Sequence, residues 1–154
     1  MREFLPHPDL ADDAAADEAF LGYSAVYHAS WTTFSDAVPA LRRVRAAGLC
    51  AAVLTNGDHA HQRLKLERVG LVDDELDRVF TSDEFAFGKP DPAAFPGACA
   101  RLGVEPGDAL MVGDSLVADV EGALGAGLHA VLLDRRDEHP SHSPRIRSLD
   151  ELRF

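Results

Sequence analysis

Four short, largely apolar runs, each followed by a polar or glycine-containing turn, constrain this chain more than any other feature. They are 49–54 (LCAAVL), 78–81 (RVFT), 109–112 (ALMV) and 129–133 (HAVLL). Unbroken apolar runs such as 49–54 and 109–112 are typical of parallel strands that are buried on both faces. Because helical patterns separate the runs, the sequence predicts an α/β fold with a doubly wound parallel sheet. Ligands bind at the carboxyl ends of the strands in such sheets.

The segments between the runs contain helix start and stop signals. Ser35 or Asp36 is expected to cap the first helix, and Asp91, which precedes a proline, to begin the third. Pro96 lies inside the third helix and predicts a kink or a restart, because it removes a backbone donor. The predicted helices cover residues 36–47, 58–69, 91–102 and 118–125, and residues 135–147 form a polar loop.

The first 34 residues follow a different pattern from the rest of the chain. An acidic, alanine-rich stretch precedes an aromatic stripe that contains five of the 11 aromatic residues. The spacings of three and four place this stripe on one side of a helix, and a helix packed on a core is the favoured interpretation over a ligand-binding surface. The aromatic residues of the stripe are Phe20, Tyr23, Tyr27, Trp31 and Phe34. The predicted domains are therefore residues 1–34 and an α/β core of residues 35–154.

Composition narrows the class of partners and the compartment. A length of 154 residues fits one domain, and a net charge of −11 disfavours nucleic acid and anionic membranes as partners. We expect no membrane span and no signal peptide, because long apolar runs are lacking. Cys50 and Cys99 lie in apolar stretches, which fits reduced, buried thiols in a cytoplasmic protein.

Three motifs place polar groups at predicted strand ends. Thr55-Asn56-Gly57 offers a hydroxyl, an amide and a flexible backbone beside a helix N-terminus, which can hold an anion. Lys89 lies in GKPDP, where prolines stiffen the loop. Asp114 and Asp119 lie five residues apart across a glycine turn, and carboxylate oxygens suit Mg²⁺. Taken singly, these motifs also read as an ordinary turn, a solvated lysine and a helix cap.

The order of these motifs resembles the haloacid dehalogenase (HAD) superfamily, in the subgroup with a helical cap, over residues 36–154. The Thr55 turn is similar to the second family motif, Lys89 to the third and residues 113–119 to the fourth. The resemblance implies phosphoryl transfer, less often dehalogenation, through a covalent aspartyl intermediate on a small phosphorylated or halogenated molecule. It implies that the Thr55-Asn56-Gly57 turn binds phosphate, with Thr55 on the phosphoryl oxygens. Lys89 would offset negative charge, and Asp114 would hold Mg²⁺ with support from Asp119.

The first family motif, an apolar strand followed by Asp-x-Asp, has no match before Thr55, so no nucleophile is assigned. We expect the first, central strand and most of the cap to be absent, with residues 1–34 as a cap remnant and only weak Mg²⁺ binding. Three hypotheses stay open: an incomplete phosphatase core that is inactive alone, a silent relative that acts by binding or oligomerisation, and one half of a split enzyme. The runs 49–54 and 109–112 would flank the absent strand. They would either pair directly or leave open edges that favour self-association or a partner chain.

The remaining histidines and cysteines give weaker signals. His59 and His61 lie two apart on a predicted helix and point to different faces, so they do not easily share a metal. His139 and His142 lie in the polar loop, where solvated histidines are more common than a zinc site. Cys99 has no base near it in sequence, which disfavours a thiol nucleophile.

Overall fold

The computed structural model describes residues 13–71 and 76–154. The chain divides into two compact units, a first that ends at Thr33 and a second that covers Phe34–Phe154. In the described part of the chain, no helix is long and apolar enough to cross a membrane. The assignment of residues 1–34 to a cap remnant stays a prediction.

The described part of the first unit consists mainly of helix α1 (Asp13–Ala29). The Tyr23 and Tyr27 rings stack with centroids 5.8 Å apart, and Trp31 lies edge-on to Tyr27 at 5.5 Å. Phe20 and Tyr23 are 51% and 61% exposed. The packing of the aromatic stripe on a core stays a prediction. Helix α1 ends at Ala29, before Trp31, so the predicted aromatic stripe extends beyond the helix. The rings of Tyr23, Tyr27 and Trp31 contact one another.

The second unit alternates strands and helices, as predicted. Its elements are α2 (Ala37–Ala46), β1 (Ala52–Thr55), α3 (His59–Arg68), β2 (Arg78–Thr81), α4 (Ala94–Leu102), β3 (Leu110–Gly113), α5 (Gly122–Gly125), β4 (His129–Leu133) and β5 (Arg145–Ile146). A π-helical turn over Leu116–Glu121 precedes α5. All strand pairs among the described residues are parallel, which confirms the predicted α/β class.

The strands of the described residues form two separate sheets. β1 pairs with β2, and β3, β4 and β5 form the other sheet in that order. Of the two predicted alternatives, open edges on β1 and β3 are what the described residues show. The expectation of strands buried on both faces is wrong for both runs, because Leu49 is 49% exposed and Leu110 is 47% exposed. Leu49 lies before β1, which begins at Ala52, and Leu110 is the first residue of β3, so both lie at the amino ends of the apolar runs.

The core lies between α4, the π-helical turn and the sheet that contains β4. Phe95, Val120 and Leu132 are each at most 1% exposed, and they form one apolar cluster. Leu54 of β1 packs against this cluster and also against a second one around Phe80. Burial of apolar surface therefore holds the two sheets together, although no backbone hydrogen bonds join them among the described strands.

Helix α4 begins later than the sequence predicted. The Asp91 carboxylate accepts the Ala93 N–H at 2.9 Å, so residues 91–93 form a local turn and the helix begins at Ala94. Pro96 therefore lies in the first helical turn, where its absent N–H has no partner to lose, and the predicted kink is not needed. Gly103 ends the helix in the left-handed region, with φ of 73°.

Other local predictions need correction. Asp36 precedes α2 but makes no capping hydrogen bond, because its carboxylate binds Arg135 instead. The predicted helix 118–125 is a π-helical turn followed by a short α-helix. The polar loop 135–147 contains β5, which is too short to leave an apolar run. Cys99 is buried as expected, but Cys50, which lies two residues before β1, is exposed.

Candidate active site

The turn after β1 is built by a helix cap and a long-range hydrogen bond. Asp58 caps α3 by accepting the His61 N–H at 2.8 Å. Gly57, with φ of 119°, directs its N–H to the Ser82 hydroxyl at 2.9 Å. The Thr55 hydroxyl lies within 3.3 Å of the Asn56 carbonyl oxygen. This turn places the predicted phosphate-binding residues at the carboxyl end of β1.

Asn56 clamps the loop that contains Lys89. Its side-chain N–H donates to the Lys89 carbonyl at 2.7 Å, and its side-chain oxygen accepts the Lys89 N–H at 2.8 Å. A Cβ at Gly88 would lie 2.6 Å from that oxygen, so glycine is required for this close approach. The peptide bond between Lys89 and Pro90 is cis. Asn56 therefore positions Lys89, a role that sequence reasoning missed because the partners lie 33 residues apart.

Lys89 reaches from this loop to Asp119 beyond the end of β3. The ammonium nitrogen lies 2.5 Å from Asp119 Oδ1, and the two side chains are 13% and 5% exposed. The other oxygen of Asp119 accepts the Ser115 N–H at 2.9 Å. A Cβ at Gly113 would lie 2.3 Å from Asp119 Cγ, so the glycine of this turn makes room for the carboxylate.

At this end of the sheet, the Asp114 carboxylate has no bonding partner among the described residues. It is exposed and makes no hydrogen bond or ion pair with another described residue. Asp119, the other predicted metal residue, has both oxygens occupied by Lys89 and Ser115. No group of three histidine, cysteine or acidic side chains converges as a metal site in residues 13–71 and 76–154. Of the two predicted metal residues, Asp114 is therefore the one whose carboxylate oxygens are open to a hard cation.

Asp114 lies in a shallow cleft of about 440 Å³, together with Ser115, Leu116, Val117 and His139. A larger cleft of about 600 Å³ lies beside β2 and contains Arg63, Arg78 and Arg101. None of the predicted site residues lines the larger cleft. The smaller cleft is therefore the one that belongs to the candidate site.

Ser82 is a further site residue that sequence reasoning missed. It follows Thr81 at the end of β2, where Thr81 and Glu84 form a reciprocal capping box. This box holds the turn that presents the Ser82 hydroxyl to the Gly57 N–H. The Thr-x-x-Glu spacing in the sequence was the available signal for this turn.

Comparison with known proteins identifies the class to which this fold and site belong. The profile of the haloacid dehalogenase-like hydrolases matches residues 2–127. Phosphoserine phosphatase of Thermus thermophilus is 43% identical over 116 residues, which cover 74% of this chain and 46% of the relative. (S)-2-haloacid dehalogenase 1 of Pseudomonas sp. is 34% identical over 128 residues, covering 82% and 55%.

Among solved structures, the HAD phosphatase from Thermococcus onnurineus superposes with a TM-score of 0.72 and 41% identity, covering 79% of this chain and 56% of that chain. The chain spans about half the length of the curated relatives named here. The parallel α/β fold with polar strand ends and the sequence matches lead to one conclusion. The chain belongs to the haloacid dehalogenase-like hydrolase family.

Proposed function

We propose that this chain provides the phosphate-binding and charge-balancing part of a phosphate-ester hydrolase site. The proposal rests on one observation: hydrogen bonds and an ion pair join Asn56, Lys89 and Asp119 at the ends of the strands. Asn56 fixes the backbone of Lys89, and buried Asp119 fixes its ammonium group. An ammonium held at the carboxyl ends of parallel strands is positioned to balance the charge of a bound phosphate. The phosphatase names of several relatives support a phosphate ester over a halogenated substrate.

Each site residue has a role that follows from its contacts. The Thr55 hydroxyl at the carboxyl end of β1 binds phosphoryl oxygens. The Asn56-Gly57 turn, whose Asn56 side chain binds Lys89 and whose Gly57 N–H binds Ser82, shapes this end of the strand. Lys89 balances the phosphoryl charge while its backbone stays clamped. Asp119 orients Lys89. Asp114 offers Mg²⁺ one oxygen ligand, and the ion, when bound, neutralises charge that develops on the phosphoryl group.

The attacking carboxylate is not assigned to any described residue. We infer that it is presented by a further strand between the open edges of β1 and β3. Such a strand would come from another part of the protein or from another chain, so the chain of 154 residues is expected to be inactive alone. The alternative is a binding protein that associates through these edges, which the exposed Leu110 on β3 favours.

A hydrolysis assay and a binding assay together test the proposed function. With p-nitrophenyl phosphate and Mg²⁺, we expect no turnover above buffer. Isothermal titration with inorganic phosphate is expected to show binding that Thr55→Val weakens. Thr32→Val, an exposed threonine of the first unit, is the matched control. Turnover that Asp114→Asn abolishes would contradict the predicted inactivity, and the absence of phosphate binding would contradict the site.

Sedimentation velocity tests the open edges. The unpaired edges of β1 and β3 predict self-association that increases with concentration. A monomer at every concentration, with β1 and β3 still unpaired, would refute the proposed association. Addition of a charged residue on the β3 edge, Leu110→Lys, is expected to reduce any association that uses this edge.

A further inference from the structure

The outer edge of β2 has no strand beside it among the described residues. In its two-stranded sheet, β2 pairs with β1 alone. The Asp77 N–H, just before β2, donates to the Ala51 carbonyl at 2.7 Å, on the side of β1. Because the backbone groups of successive residues alternate between the two sides of a strand, those of Arg78 and Phe80 point away from β1. These N–H and C=O groups are open to pair with a further strand.

The larger cleft, of about 600 Å³, lies against this edge of β2. Its three arginines come from three different elements: Arg63 from α3, Arg78 from β2 and Arg101 from α4. Leu76 and Phe80, which are both buried, give the cleft an apolar part. Open backbone groups beside apolar and cationic side chains fit an extended peptide better than a small ion, because a small ion would use only the charge.

Among the described residues, Arg78 differs from the other charged side chains of this cleft because it is unpaired. Arg63 and Arg101 each bind a glutamate, and Asp77 binds Arg45 at 3.7 Å. The exposed Arg78 side chain makes no hydrogen bond or ion pair with another described residue. The cleft therefore contains an uncompensated cation in a chain of net charge −11. Carboxylate groups of a partner are attracted here, while the acidic remainder of the chain repels them.

Arg78 lies on the face of the sheet that α4 covers. Phe80 packs with Ala98 of α4, and side chains two residues apart in a strand share a face. The Arg78 guanidinium and Arg101 of α4 are therefore on the same side of the edge. A strand placed beside β2 would direct every second side chain to this side, so carboxylates at alternate positions would face Arg78.

We propose that the outer edge of β2 binds an extended acidic peptide segment of a partner protein, which adds to the sheet as a further strand. The β2 backbone supplies hydrogen bonds, and the Arg78 guanidinium binds a carboxylate on the side of α4. A second copy of this chain fits less well, because pairing of two β2 edges would bring two arginine-containing clefts together. The proposal does not depend on the phosphate site, since no predicted site residue lines this cleft.

Fluorescence anisotropy with labelled peptides tests the charge. The probe alternates Glu and Val over about six residues, the usual length of a strand, and a Lys-Val peptide is its control. We expect only the acidic peptide to bind, and its affinity to fall as salt is raised to about 0.5 M. Arg78→Gln is expected to lower the affinity about tenfold, the value of one hydrogen bond between charged groups. Arg136→Gln, which removes an exposed arginine outside the cleft, should leave the affinity unchanged.

Methylation of the peptide backbone tests the added strand. Such a strand turns every second N–H towards β2. Of two probes that are N-methylated at the odd or at the even residues, only one should therefore keep binding. Equal binding of both, or equal affinities of the two arginine variants for the acidic peptide, overturns the proposal. Self-association in sedimentation velocity that Arg78→Gln strengthens would assign this edge to a second copy of the chain, and would overturn the proposal as well.

Discussion

Two buried carboxylates with basic partners, Asp36 and Asp119, differ in how fully their hydrogen-bonding groups are used. Asp36 accepts four bonds: two from Arg135, one from the Ser148 hydroxyl and one from the Leu149 N–H. The Arg135 guanidinium also lies 4.0 Å from the centroid of the Phe34 ring. The Asp36 pair is therefore saturated, and it ties the start of α2 to the last turn of the chain.

The Asp119 pair is less complete. Asp119 accepts one bond from Lys89 and one from the Ser115 N–H. The Lys89 ammonium group has three N–H donors, and one of them binds Asp119, its ion-pair partner among the described residues. A saturated pair stabilises a fold, whereas a pair that keeps free donors at the strand ends is able to bind an anion. Under the proposed function, this difference separates a structural pair from one that binds phosphate, and the following variants test it.

Asp36→Asn is expected to have the largest effect on stability. It leaves Arg135 without its carboxylate partner in a buried position, which costs about 3 kcal/mol in comparable pairs. Urea denaturation measures the loss of unfolding free energy, and phosphate affinity should stay unchanged. Asp150→Asn, which breaks the more exposed pair with Arg43, is the control and should cost less than about 1 kcal/mol. An Asp36→Asn variant as stable as the control would remove the basis of the comparison.

The pH dependence of stability tests the same carboxylate. Hydrogen bonds from Arg135, Ser148 and the Leu149 backbone hold the pKa of Asp36 far below its usual range, against the opposing effect of burial. Because the folded pKa is lowered, the stabilisation is complete above the unfolded pKa of about 3.9 and is lost as the pH falls towards the folded value. The unmodified chain should therefore lose stability more steeply below about pH 4 than Asp36→Asn does. Urea denaturation measures the unfolding free energy at each pH. An equally steep fall of this free energy below about pH 4 in both proteins would contradict the prediction.

The strand pattern was predictable from the sequence, because apolar runs and their turns are local signals. Residues 129–133 form β4 with the predicted bounds, and Gly103 ends α4 as expected. The motif spacing also brought Lys89 and Asp119 to one site. The predicted helix cap at Asp36 was wrong because the Asp36 carboxylate binds Arg135, which lies 99 residues away, and not the N–H groups of α2. A contact over this distance in sequence leaves no local signal.

The exposure of residues in the two apolar runs was harder to predict. An apolar run indicates burial, but it does not say how many neighbours the strand has. Leu110 and Leu49 were expected to be buried because their runs are apolar, yet both are exposed in the described structure. Strand neighbours depend on non-local pairing, which leaves no periodic signal in a run of four to six residues.

Gly113→Ala tests the Lys89–Asp119 pair by adding a Cβ atom to the backbone beside the Asp119 carboxylate. The added Cβ would lie 2.3 Å from Asp119 Cγ, so the carboxylate must move away from Lys89 or Ser115. We expect a loss of about 2 kcal/mol in unfolding free energy, as for other overpacked sites, together with weaker phosphate binding. Gly107→Ala is the control, because a Cβ there meets no atom within 4 Å. Unchanged phosphate affinity in Gly113→Ala would show that the position of Asp119 does not matter for binding.

Asn56→Ala is expected to have the smallest effect on stability and to be the most informative about function. The variant removes both hydrogen bonds between the Asn56 side chain and the Lys89 backbone, which lie near the surface and together contribute about 1 kcal/mol. The ammonium keeps its bond to Asp119, but the loop that carries it is no longer clamped. Phosphate affinity should therefore fall by more than the stability loss alone explains. Gln62→Ala removes one bond to the Asn56 carbonyl and leaves the clamp intact, so it serves as the control. Equal phosphate affinities of the two variants in isothermal titration would show that Lys89 is positioned by Asp119 alone.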